Sequence, residues 1–219
     1  LLEKQFNIPT KMTNDANAAA VGEQKYGIAR NMKNFIMITL GTGVGSGIII
    51  DGNIVIGHNG FAGELGHVIV RHDGRLHKGI GLKGALESYT SATGVRDTAI
   101  ELLQQNPDIS SLLRNYTIDE LTSETVFICA QQGDLLANQV FEFTGKVLGE
   151  ALATFVLFSA PEAIVLFGGL TKAGDLIMKP TRQAMEDNLL QVFKSQVKIL
   201  FSELKEADAA ILGASALVW

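Results

Sequence analysis

The sequence predicts an α/β fold with a mixed central sheet flanked by helices, and three observations carry that expectation. Two short apolar runs, Phe35–Leu40 (FIMITL) and Ala163–Phe167 (AIVLF), have the length and β-branched content of buried strands, and each runs directly into glycine. Two further runs, 47–50 and 53–56, meet across Asp51-Gly52, the dipeptide of a two-residue hairpin with a type I′ turn. The stretch 138–159 repeats apolar residues at helical spacing (Val140, Phe141, Thr144, Val147, Leu148, Ala151, Leu152), which reads as a core helix.

Composition narrows the function classes. With 219 residues, 47% of them hydrophobic, the chain can bury a sizeable core. A net charge of −5 argues against unaided nucleic-acid binding and points to a small-molecule partner. No apolar run approaches the ~20 residues of a membrane span, and no signal-peptide pattern opens the sequence. The single cysteine, Cys129, excludes an internal disulfide, fits a reducing cytoplasm and reads as a packed small hydrophobe among Val126, Phe127, Ile128 and Ala130.

Residues 1–6 read as the tail of a helix broken near Asn7 and Pro9, with neither a cap nor an initiator methionine, so the sequence is expected to be a piece of a longer protein. Thr13-Asn14-Asp15 then opens a helix through an alanine run that Gly27 is placed to end. Asn14 or Asp15 reads as its N-cap, and an ionised Asp15 at the positive helix end is also available as a proton acceptor. After FIMITL, Gly41-Thr42-Gly43-Val44-Gly45 offers a turn whose glycines permit positive φ and close approach of an anion, with a hydroxyl from Thr42. The glycine-rich segment 57–67 presents Asn59, Glu64 and His67 from an irregular loop before a strand expected at 67–70, and Glu87 follows on a helix. Together these groups suit the vicinal hydroxyls of a sugar; singly, Glu64 and Glu87 read equally as solvated carboxylates and His67 as a packed strand residue. Helices are expected at 91–103 and 122–132, a glycine turn at Gly168-Gly169, a helix from about Ala173 with Asp175 in its first turn, and a small-residue helix at 208–219 ending in Trp219.

The segments TNDANAAAVGE (13–23), LGTGVGSGIIIDG (40–52), GFAGELGH (60–67), GALE (84–87) and VLFGGLTKAGD (165–175) resemble, in order, the motifs of the ROK family of bacterial repressors, open reading frames and sugar kinases, with a glucokinase-like member the nearest in kind. The resemblance implies the large lobe of an actin-like (ribonuclease H-like) ATPase fold. On it, 1–12 is the end of a small N-terminal domain and hinge, 13–207 the sugar- and nucleotide-binding lobe, and 208–219 a helix that packs on the small domain. It implies phosphoryl transfer from ATP, with Mg2+, to the 6-hydroxyl of a hexose, glucose foremost. Asp15 is then the base, Asn14, Asn59, Glu64, His67 and Glu87 hold the sugar, and Gly41, Thr42, Gly43, Gly45, Gly168 and Gly169 lie along the nucleotide. A cytoplasmic homo-oligomer, bound neither to membrane nor directly to nucleic acid, is expected. The family also contains sugar-responsive transcriptional regulators, and this lobe separates the two classes poorly.

The family pattern also has a structural zinc held by His67 and three cysteines, whose positions are occupied here by Lys78, Ile80 and Ala85; none of these ligates zinc, so the metal is expected to be absent. His72, His77 and Asp73 are the remaining groups for a substitute site. Without metal, the loop from Arg71 to Gly84 is expected to lack anchors and to be mobile.

Overall fold

The computed structural model describes residues 2–218; Leu1 and Trp219, named in the first and last predicted helices, lie outside the described residues. The elements in chain order are α1 (Leu2–Phe6), α2 (Asp15–Tyr26), β1 (Phe35–Leu40), β2 (Val44–Ile50), β3 (Asn53–Ile54), α3 (Glu87–Thr90), α4 (Ala92–Gln105), α5 (Ser123–Gln131), α6 (Leu135–Ser159), β4 (Ala163–Phe167), α7 (Asp175–Asn188), β5 (Lys198–Phe201) and α8 (Glu206–Ala216), with 3-10 turns at Leu65–His67, Leu112–Asn115 and Gly169–Ala173.

The strands form one mixed sheet in the order β3-β2-β1-β4-β5. β1 is antiparallel to β2 (Leu40 opposite Val44) and parallel to β4 (Thr39 opposite Phe167), and β4 is parallel to β5. The Asp51-Gly52 turn has φ of 50° and 78°, the doubly left-handed pair a type I′ hairpin requires. Alternation along the strands feeds two cores. Phe35, Met37 and Val165 pack with Ala19 and Ala20 of α2, while Ile36, Ile38, Leu40, Ile164 and Leu166 pack with Val147, Leu148 and Leu152 of α6.

Glycines set the helix spacing. Methyls at Gly145 and Gly149 of α6 would sit 2.5 Å from Pro180 Cγ and 2.2 Å from the Thr181 carbonyl, so α7 rests directly on the α6 backbone. A methyl at Gly213 of α8 would sit 2.3 Å from the Ala18 carbonyl oxygen, and one at Gly47 of β2 2.5 Å from Ala20 Cβ. The α2 alanine run thus fills a slot between β2 and α8. One side of α8 is covered by α2, and Ile211 stays exposed.

Several boundaries are corrected. The strand expected at 67–70 is absent: Leu65–His67 is a 3-10 turn, and Ile69 makes only an isolated bridge to Ala85. β3 stops at Ile54 instead of Ile56, and α6 starts at Leu135, where the buried Asp134 caps the Ala137 amide at 2.8 Å. The edge strand β5 went unpredicted; KILF is four residues with no bounding glycine or proline. The loop Arg71–Gly84 does not lack anchors. The Arg75 guanidinium donates to Glu101 (2.7 and 2.9 Å) and Thr98 (3.1 Å) and lies 4.8 Å over the Tyr89 ring, while Arg71 pairs with Glu150. Polar ties stand where apolar packing was sought.

Candidate active site

Parallel pairing of β1 and β4 brings their glycine turns, 41–43 and 168–169, to the same end of the sheet. Ligands of open α/β sheets bind at such carboxyl ends. A cavity of about 480 Å³ opens there, lined by Asp15, Gly41, Thr42, Gly43, Gly45, His67, Glu87 and Gly168, with Thr39, Val44 and Phe167.

Asp15 arrives as the first residue of α2. Asn14 is the N-cap, its side-chain oxygen accepting from the Asn17 amide at 2.7 Å, so the residue that caps and the residue left exposed at the helix mouth are distinct. Only Oδ1 of Asp15 is engaged among the described residues, on the Ala16 amide at 2.9 Å. The other oxygen is open to a guest, with the positive helix end behind it.

None of Gly41, Gly43 and Gly45 has positive φ, so that half of the expectation is corrected; Gly43 and Gly45 provide room. A methyl at Gly43 would lie 2.5 Å from Glu87 Oε2, and one at Gly45 would lie 2.7 Å from Thr39 Oγ1 and 3.0 Å from Ala16 Cβ. The turn's amides are also partly spent. Gly41 N–H donates to the Gly43 carbonyl, Val44 N–H to Glu87, and Gly45 N–H, inside β2, to Thr39. Among the described residues this leaves the amides of Thr42 and Gly43, with the Thr42 hydroxyl, to meet an anion. Gly168 is the bend where φ does matter: at +105°, a side chain there would strike the Leu40 carbonyl at 2.6 Å.

Glu87, at the start of α3, is held at both oxygens, Oε2 accepting from Val44 N–H at 2.6 Å and Oε1 lying 2.6 Å from His77 Nε2. His67 lies at the cavity edge with Nδ1 3.3 Å from Glu64 Oε2, which makes Glu64 a neighbour of the wall without lining it. Asn59 is not brought in: it is exposed, and its side-chain oxygen accepts from Phe61 N–H at 3.4 Å. Gly169 faces away into a second cavity of about 320 Å³ lined by Phe127, Phe141, Leu170 and Ala173. Sequence reasoning placed His77 among possible metal ligands and missed it as the partner of Glu87. Its signal was an imidazole at the tip of a loop whose expected ligands are gone.

A resident zinc does not fit the residues present. Lys78 and Ile80 are exposed, Ala85 is buried and bridged to Ile69, and among the described residues no three His, Cys, Asp or Glu side chains gather where they would hold a metal ion.

The mixed sheet, the helix-mouth aspartate and the glycine turns at one end of it belong to an α/β fold of the actin-like ATPase class. The chain belongs to the ROK family, whose model matches residues 1–219. It is 37% identical over 217 residues to a glucokinase of Halalkalibacterium halodurans, covering 99% of this chain and 66% of that protein. It is 30% identical over 218 residues to the DNA-binding transcriptional dual regulator NagC of Escherichia coli, covering 99% of this chain and 52% of the regulator. A crystal structure of a ROK family glucokinase from Streptomyces griseus in complex with glucose and AMPPNP superposes with a TM-score of 0.85 at 31% identity, covering 99% of this chain and 70% of that one. The chain therefore spans about two thirds of the glucokinases and about half of the regulator.

Proposed function

We propose that this chain is the sugar- and nucleotide-binding lobe of an ATP-dependent hexose kinase with glucose as the acceptor. One observation carries the reading: Asp15, His67, Glu87, the 41–43 turn and Gly168 share one cavity at the carboxyl end of the sheet. Oδ2 of Asp15 takes the proton of the sugar 6-hydroxyl as that oxygen attacks the γ-phosphorus of MgATP, and ADP departs with the electrons of the broken P–O bond. No covalent enzyme intermediate forms. His67, oriented by Glu64, and Glu87 supply donors and acceptors for the other sugar hydroxyls, and Thr42 and Gly43 turn their free amides toward the phosphates. The adenosine lies along Gly168-Gly169, with the cavity under Phe127 and Phe141 open to its base. Asn14 serves through its cap, and Asn59 is left without a role in the cavity as it stands.

In this reading residues 13–207 form the lobe proper, 1–12 the end of a small domain and hinge, and 208–219 the helix that packs on that domain; the whole works as a cytoplasmic homo-oligomer. The test is a coupled assay of ADP release by the intact protein over a panel of hexoses with ATP and Mg2+. Asp15→Asn is expected to keep sugar binding and to lose about 10²- to 10⁴-fold in turnover. Unchanged turnover removes Asp15 from the mechanism. The similarity to NagC supports a second reading, a sugar-responsive regulator, and sugar-dependent DNA binding without ADP release by the intact protein would select it.

A further inference from the structure

We propose that His77 is a positioning residue for Glu87, fixing by a hydrogen bond the wall of the sugar cavity beside a loop whose cysteine positions hold Lys78, Ile80 and Ala85. The inference rests on the reading of that cavity as a sugar site. Nε2 of His77 lies 2.6 Å from Glu87 Oε1, and both side chains are mostly buried, at 23% and 14% exposure. Val44 N–H holds the other oxygen. Two donors from separate segments, one on each oxygen, fix both the rotation and the tilt of the carboxylate. Its remaining lone pairs, from a total of about four sites, are then aimed by the protein and not by the ligand.

The imidazole is itself presented rigidly. His77 N–H donates to the Leu82 carbonyl and the His77 carbonyl accepts from Gly81 N–H, both at 2.8 Å, with Gly81 at φ +70° and Leu76 bridged to Lys83. Two residues back, Arg75 pins the loop to α4 through Glu101 and Thr98. A continuous set of ties therefore runs from α4 through the loop to Glu87 and on to the glycine turn. Among the described residues the other imidazole nitrogen, Nδ1, is buried with no partner, an uncommon and costly arrangement for a side chain kept only to fill space. It is consistent with a histidine held for what Nε2 does. In place of the absent cysteines, the loop thus carries one hydrogen-bond donor aimed at the residue whose position matters.

The experiment compares His77→Leu, which removes the donor, with His77→Gln, whose amide N–H reaches the place of Nε2, in the intact protein. Hexose KM, ATP KM and kcat are measured together with amide hydrogen exchange at Val44 and across 77–84. His77→Leu is expected to raise the hexose KM about tenfold, the scale of one lost hydrogen bond to a charged group, with ATP KM and kcat within about threefold. Exchange at Val44 should quicken as Glu87 is released, and His77→Gln should recover most of both effects. Unchanged exchange at Val44 in His77→Leu overturns the proposal. So does a parallel rise in both KM values that glutamine relieves no better than leucine, since that marks a general folding role. If the unsubstituted protein neither binds nor phosphorylates any hexose, the sugar reading fails by itself, and the exchange comparison still decides whether His77 holds Glu87.

Discussion

Replacing Gly43 by alanine tests the geometry of the cavity most directly, because the glycine turn and the clamped carboxylate meet there. The new methyl would lie 2.5 Å from Glu87 Oε2 and 3.2 Å from its Cδ, whereas relaxed contact needs about 3.5 Å, so the carboxylate must retreat by about 1 Å. The Val44 N–H bond, 2.6 Å long, then stretches to about 3.6 Å and ceases to be a hydrogen bond. If Glu87 holds the sugar, a carboxylate displaced by that much also loses its bond to a sugar hydroxyl, worth about 1.5–3 kcal/mol, or about 10- to 150-fold in affinity. Stability should fall by about 1.5–3 kcal/mol, the worth of the lost Val44 bond, with no added backbone strain because Gly43 is not at positive φ. The assay is hexose KM in the coupled system beside a thermal melt. A sugar KM within about twofold of the unsubstituted value, in a protein that melts normally, refutes the placement of Glu87 against the turn.

Three further outcomes follow from other parts of the molecule. Glu23 is fully buried, and desolvation raises its carboxyl above the ordinary 4.5 against the opposing bonds from Ser202 Oγ (2.6 Å) and Ile28 N–H (2.7 Å), with Glu203 adding repulsion. The folded state therefore binds its proton more tightly than the unfolded chain. Stability from this group is fully present below about pH 4.5 and is lost as pH rises through the raised value, so denaturant midpoints across that window should fall in the native protein relative to Glu23→Gln; parallel curves would remove Glu23 as the cause. Gly149→Val would drive a side chain into the Thr181 carbonyl and Ala184 of α7 and should cost about 3 kcal/mol or more in chemical denaturation, and an unshifted midpoint would contradict the α6–α7 contact. Chelation before a melt should leave Tm unchanged, and stoichiometric zinc in elemental analysis would overturn the argument from Lys78, Ile80 and Ala85.

The parts of the fold legible in the sequence are those where local chemistry and tertiary role coincide. Asp51-Gly52 has to turn the way it does, Asn14 and Gly27 bracket α2, and the two apolar strands end at the glycines that bend the chain. The strand expected at 67–70 failed because its apolar residues follow Gly66, whose close approach to the Val44 carbonyl (2.1 Å from a would-be methyl) forces a tight turn that only the folded neighbour reveals. β5 was invisible because its strand character comes from lying beside β4. The glycines of GTGVG were read for positive φ and for approach of an anion; Gly43 and Gly45 instead have ordinary φ and leave space for Glu87, Thr39 and Ala16, a tertiary fact that the motif does not contain. Likewise Asp15, His67 and Glu87 could be picked as chemistry-bearing residues, but the bond joining His77 to Glu87 spans ten residues of irregular chain and belongs to no periodic pattern.

The contact between α2 and α8 has a mechanical consequence. Gly22 and Gly213 let the two helices touch main chain to main chain, with no side chain between them to flex and absorb a displacement. Any tilt of the last helix is handed undamped to its neighbour, and at the far tip of that neighbour sits Asp15. The place of Asp15 in the cavity, and with it the proton transfer proposed above, is thereby geared to a helix some two hundred residues away along the chain.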